Sequence, residues 1–267
     1  TLSNTGNAFA SAVTLSTTGS TAHATIDNGT TTLDIAASSV GGDLTLISGN
    51  ASGITDSGNV TVGGNLAATT NANHGVINMD TLRVDGTIAL TTNGNGAATA
   101  VNDVGLIFAA STVGGALSAT ATTGNITQGA AVAVTGTSSF TTSASDADIT
   151  LSNTGNAFAS AVTLSTTGST AHATIDNGTT TLDIAASSVG GDLTLISGHA
   201  SGITDSGNVT VGGNLAATTN ANHGVINMDT LRVDGTVALT TNGNGAATVV
   251  NDVGLIFAAS TVGGALS

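Results

Sequence analysis

Five histidines, sixteen aspartates and two arginines hold most of the reactive chemistry available to this chain of 267 residues, which has no Cys, Lys or Glu. The histidines are His23, His74, His172, His199 and His223. No two are spaced as metal ligands on one helical turn, and His74 lies in an Asn-His-Gly turn sequence. They read as structural or solvated histidines. The aspartates are scattered, with neither a Gly-Gly-x-Gly-x-Asp calcium repeat nor an EF-hand loop. Asp80 and Asp85 form a loose acidic patch, and Asp146-Ala147-Asp148 would place two carboxylates on one strand face. These four are weak surface candidates for Ca²⁺ and the only metal positions the sequence offers. Arg83, between Leu82 and Val84, should point outward beside Asp85, an exposed pair worth at most ~1 kcal/mol.

Nucleophiles and phosphate loops fare no better. Ser and Asp abound, but no Gly-x-Ser-x-Gly elbow is present. Gly94-Asn95-Gly96-Ala97-Ala98-Thr99 echoes a dinucleotide loop, yet no helical pattern follows to hold a phosphate, so it reads as a turn. No catalytic and no cofactor-binding residue is assigned, and the chain is read as a non-enzyme.

Those groups must be carried by something other than helices. Surface helix is built from Glu, Lys, Gln and Arg, and this chain has two Arg and a single Gln, Gln128. The formal charge is −14. Two arginines cannot neutralise a run of phosphates, which argues against nucleic acid as a partner. The longest apolar stretch, Val104 to Leu117, is interrupted and too short to span a bilayer, so no membrane insertion is expected. Regular Val, Leu and Ile with a mean hydropathy of +0.34 oppose disorder.

The chain repeats itself. Residues 1–118 align without a gap to 150–267 at an offset of 149, and only Asn50/His199, Ile88/Val237 and Ala100/Val249 differ. The expected organisation is a repeat unit over 1–149 and a second, incomplete copy over 150–267, continuous with the first and cut from a longer array. A shorter beat of hydrophobic residues runs through Val40, Val62, Val84, Val113, Val134, Val162 and Val189, suggesting six coils of roughly 25 residues per unit. Each coil holds short alternating segments such as Leu44-Thr45-Leu46 and Ile88-Ala89-Leu90, the period of half-buried strands. Such strands are too short to bury a face alone, and stacking coil on coil solves this. The predicted fold is all-β, a right-handed parallel β-helix (β-solenoid). Leu44, Leu46, Val60, Val62, Leu82, Val84, Ile88 and Leu90 should point inward, and the absence of Pro suits unbroken ladders.

The segments Val40-Gly41-Gly42-Asp43-Leu44-Thr45, Gly124-Asn125-Ile126-Thr127-Gln128-Gly129 and Asp148-Ile149-Thr150-Leu151-Ser152-Asn153 resemble the repeats of filamentous-haemagglutinin-like large exoproteins. That resemblance implies a β-helix stalk on a bacterial cell surface, export through an outer-membrane partner, and a role in attachment or aggregation; it carries over no catalytic residue. The expected function is a structural extracellular stalk or filament whose partners are further repeats and neighbouring fibres. The rival readings are a polysaccharide-active β-helix enzyme and tandem immunoglobulin-like adhesion domains. An ice-binding solenoid is disfavoured by the uneven coil lengths.

Overall fold

The computed structural model describes residues 1–267 and contains strands, turns and bends but no helix. Every strand pairing is parallel. The strands form two sheets of 14 and 15 members wound by one continuous chain. The first sheet's main path holds eleven strands, from Ala24–Asp27 to Val237–Asn242. That is ten full turns, and single bridges from Leu2 to Ile26 and from Val237 to Phe257 extend it at each end. This is the predicted parallel β-solenoid. Crossovers of this type are right-handed in about 98% of cases, the sense expected here.

The lumen is built as the alternation dictates. Leu44, Leu46, Val60, Val62, Val84, Ile88 and Leu90 are at most 1% exposed and Leu82 is at 2%, and they belong to one core of 55 residues running the whole length. Like sits over like: Leu44 pairs with Leu66, and Leu66 with Ile88. Three of the five Phe, the only aromatic residues, cluster on three successive coils. Phe108, Phe140 and Phe158 meet edge to face at centroid separations of 6.1 and 5.5 Å. Stacking is what buries these side chains. Phe108 is fully buried under the next coil, whereas its copy Phe257, in the last coil, is 46% exposed.

The turn count differs from six. Ala24–Asp27 and its copy Ala173–Asp176 are seven steps apart along the first sheet, so a 149-residue unit makes seven turns of about 21 residues. The miscount has a physical origin. Most coils have a third side, and that side changes sheet. Val40, Val62 and Val84 belong to it while it is part of the second sheet. Val113 and Val134 belong to it while it is part of the first, and Phe158 completes it there. The two moves between sheets together contain the seventh turn.

Buried polar side chains manage those moves. Where one strand is overlain by two short ones, a serine hydroxyl takes the freed amide: Leu90 N–H donates to Ser111 (3.1 Å) and Leu164 N–H to Ser187 (3.0 Å). Where the third side ends, an asparagine carboxamide replaces the missing peptide group. Asn102, fully buried, accepts from Val84 N–H at 2.7 Å and donates to Val84 C=O at 3.0 Å. Asn177 treats Phe158 the same way at 2.7 and 3.0 Å. A carboxamide offers the same donor and acceptor as a peptide, so the ladder ends without orphaned groups.

The Val-Gly-Gly motif has a steric cause. It forms the corner from the third side into the first sheet, where glycines of successive coils stack. A Cβ on Gly63 would approach the carbonyl oxygen of Gly41 to 2.6 Å, and one on Gly86 that of Gly64 to 2.5 Å, which only glycine avoids.

The ladders run through the join of the two copies without a break. Ile126 pairs with Ile149, Ile149 with Ala173, and Ser138 with Val162. The segment that occurs once, 119–149, simply supplies further coils. The copies are not in phase with the ladders. In the second sheet the ladder starting at Leu33 passes Ile54, Ile77, Ala98, Leu117, Ser138 and Val162 and arrives at Ile184. The copy of Leu33 is Leu182, two residues short of it.

Candidate functional site

All five histidines cap backbone amides, four on the coil above and His199 within its own turn. Each uses Nδ1 to accept a backbone N–H: His23 from Asp43 (2.8 Å), His74 from Asn95 (2.9 Å), His172 from Asp192 (2.9 Å), His199 from Ser201 (3.0 Å) and His223 from Asn244 (3.0 Å). His74 and His223 sit in turns at φ of 65° and 63°. The exchange of Asn50 for His199 follows directly. Asn50 Oδ1 accepts from Ser52 N–H at 2.9 Å, and in the copy His199 Nδ1 takes that place.

His172 belongs to a column along one corner. Asn125 accepts from Asp148 N–H, Asp148 from His172 N–H, His172 from Asp192 N–H, Asp192 from Asn214 N–H and Asn214 from Thr236 N–H, at 2.7–2.9 Å. His23, Asp43, Asn65 and Thr87 form its counterpart in the first copy. At each level a short acceptor side chain caps the coil above. Asn, Asp and His are interchangeable in this role because each presents an acceptor two bonds from Cβ.

The four acidic candidates are not gathered together. Asp80 and Asp85 lie on the second sheet's outer surface, and Asp146 and Asp148 at the turn between Ser138–Ser145 and Ile149–Leu151. Asp146-Ala147-Asp148 is not the expected strand: Asp146 has φ of 60° and Ala147 is buried. Thr170, through its hydroxyl and its N–H at 3.1 Å, and then Ser145 hold the Asp146 carboxyl below its usual value. Asp148 caps His172. No group of three His or Asp side chains is placed to hold a metal ion.

Arg83 points outward as expected. It lies 3.7 Å from Asp85 and 3.7 Å from Asp103, a coil above, with all three side chains about half exposed. Arg83 and Asp103, together with Asn59, Thr61, Asp80 and Thr122, line an open groove of about 350 Å³. Asp56, which the sequence did not single out, lies one coil below and accepts from Asp80 N–H, Thr81 N–H and Thr81 Oγ1 at 2.9–3.0 Å. The sequence signal was its position at the end of a short strand, 24 residues before Asp80. The Gly94 segment is a turn between Thr87–Asn93 and Ala98–Asn102.

A protein-family profile described as "Repeats of unknown function (DUF5649)" matches residues 95–165, a little over a quarter of the chain, including the whole segment that occurs once. No curated protein and no solved structure matches the chain. The class that fold and profile define is a repetitive parallel β-solenoid.

Proposed function

We propose that this chain is a structural segment, a stiff spacer whose length is its function. One observation carries the reading: most of the histidines and the aspartates of the corner columns are used in joining one coil to the next. Four histidines and the aspartates of the corner columns cap backbone amides of the next coil, and the buried asparagines complete the ladders. In its finer form the proposal is an extracellular stalk or filament of a bacterial surface adhesin, exported with the help of an outer-membrane partner. The resemblance of the Val-Gly-Gly-Asp-Leu-Thr and Gly-Asn-Ile-Thr-Gln-Gly segments to filamentous-haemagglutinin-like repeats supports this form.

The test is to make chains of one, two and four 149-residue units and measure their shape by small-angle X-ray scattering and electron microscopy. Seven turns at a strand spacing of ~4.8 Å add roughly 34 Å per unit. The expected result is a rod of constant cross-section that lengthens by that amount per unit. A bend at each 149-residue junction, or a cross-section that grows with unit number, would overturn the spacer reading. For the adhesin form, cells displaying longer arrays should hold a bound surface at a proportionally greater distance.

A further inference from the structure

The sixteen aspartates are distributed unevenly around the solenoid. The second sheet's outer surface and its bordering turns carry Asp34, Asp56, Asp80, Asp85 and Asp103 with their copies, and both arginines. Asp43, Asp146, Asp148 and Asp192 cap the corner column and its turn. The first sheet's outer face presents no exposed charge. Its two aspartates, Asp27 and Asp176, are 9% and 7% exposed and accept from the N–H groups of Gly29 and Gly178.

Columns of small or β-branched residues cover that face. One runs Thr25, Thr45, Ala67 and Ala89 in the first copy. Two residues to its side, Thr87, Ile107 and Thr127 lead to Thr150, Thr174, Thr194, Ala216 and Ala238 across the join. Another runs Ile47, Thr69, Thr91, Thr112, Ala133 and Ala157, and resumes as Ile196, Thr218 and Thr240. The segment that occurs once keeps to the rule with Thr127 and Ala133. None of the three differences between the copies falls on these columns. The uneven coil lengths are absorbed in corners, so the columns keep the regular strand spacing.

We infer that this face is the lateral contact between two copies of the chain, packed face to face. Three observations select a second copy as the occupant. A molecule of charge −14 repels its own kind on every side but this one. A second copy has the same rung spacing, so its columns of Thr, Ala and Ile interdigitate at every level, as in the dry interfaces of stacked sheets. Eleven strands by about 15 Å of width give roughly 700 Å² per partner, close to the ~800 Å² of a standard interface. The inference deepens the spacer reading and rests on it: the spacer becomes a paired strand of a fibre, and contact area grows with each unit.

The experiment compares the 267-residue chain with the double variant Thr69→Asp and Thr218→Asp, which places one carboxylate on the neutral face of each copy. The control is Ser118→Asp on the exposed surface of the second sheet. Analytical ultracentrifugation follows association at 20 and 500 mM NaCl, and circular dichroism checks the fold of each protein. The wild type should dimerise, more strongly at high salt because residual repulsion is screened. The control should match it, and the double variant should weaken dimerisation at least tenfold while keeping its melting temperature. A wild type that stays monomeric, an equal loss in variant and control, or pairing that requires Ca²⁺ and survives the double substitution overturns the inference. If the double variant loses its fold, Thr45→Ser with Thr69→Ser, which trims methyl groups without adding charge, must still weaken pairing measurably. The scattering profile of the monomer separates this outcome from failure of the spacer reading, since a hinge-free but unpaired rod leaves that reading intact.

Discussion

At the scale of single residues, acceptor position matters more than residue identity. His172 stands in a column with Asn125 and Asn214. His172→Asn should therefore change stability by less than about 0.5 kcal/mol, while His172→Phe strands the Asp192 amide and should cost about 1 kcal/mol; urea titration of both variants decides. Asn102 is the opposite case, since its carboxamide accepts from Val84 N–H and donates to Val84 C=O at once, as a peptide group would. Asn102→Ala leaves two groups of Val84 and the Gly105 carbonyl without partners and should cost about 2–5 kcal/mol, against a near-silent Asn95→Ala in the exposed turn. Asp146 supplies a pH signature. Its carboxyl is held below the usual 3.8 by Thr170 and Ser145, so its stabilising contribution is complete above that value and fades as pH falls through the lower folded one. Asp146→Asn, tolerant of the positive φ, should lower the melting temperature at pH 7 and converge with the wild type once the pH falls below the lowered folded value. The types of these residues were legible in the sequence; their roles were not. A cap acts on the residue one coil above, 20–24 positions away, and that distance is invisible until the coil length is known.

Among elements, alternation made the strands and their inner faces readable. A three-residue segment such as Leu44-Thr45-Leu46 has one buried and one outward parity, and neighbouring coils enforce it. Leu46→Asp buries an unpaired charge in the core and should cost several kcal/mol, whereas Thr45→Asp should barely move the melting temperature of the monomer. The turn count escaped because hydrophobic beats mark the third side, and nothing in composition tells Val84 in one sheet from Val113 in the other. The devices that move that side are single buried polar residues, Ser111 and Asn102, hidden among dozens of Ser and Asn in exposed turns. The register yields a direct test of the coil length. Val62 and Val84 occupy equivalent places one turn apart, so deleting Gly63–Val84 should remove one rung and leave a cooperative fold. Deleting Gly63–Asn73, half that length, should abolish it, as judged by circular dichroism and thermal melting.

For the whole molecule, a solenoid of this kind has stability that is a sum over neighbouring coils, and the end coils are its weakest part. Amide exchange should be fastest in 1–23 and 250–267, where Phe257 is 46% exposed, and slowest around Phe108, Phe140 and Phe158. Uniform protection along the chain would contradict nearest-neighbour stacking. The near-identity of the copies made the large period plain from the sequence, but it hid the phase between repeat and ladder, which no single coil encodes.

That phase has a consequence for long arrays. Each unit advances seven turns yet falls two residues short of the ladder it continues, with Leu182 two residues before Ile184 on the same strand. Identical side chains of successive units therefore trace a slow spiral around the axis instead of a straight line. With about 21 residues in a turn, one revolution takes roughly eleven units, a pitch of about 370 Å. Two arrays that keep their neutral stripes in contact over such a length cannot lie side by side as straight rods; they must twist about each other like the strands of a rope, and the lay of that rope is written in a two-residue remainder.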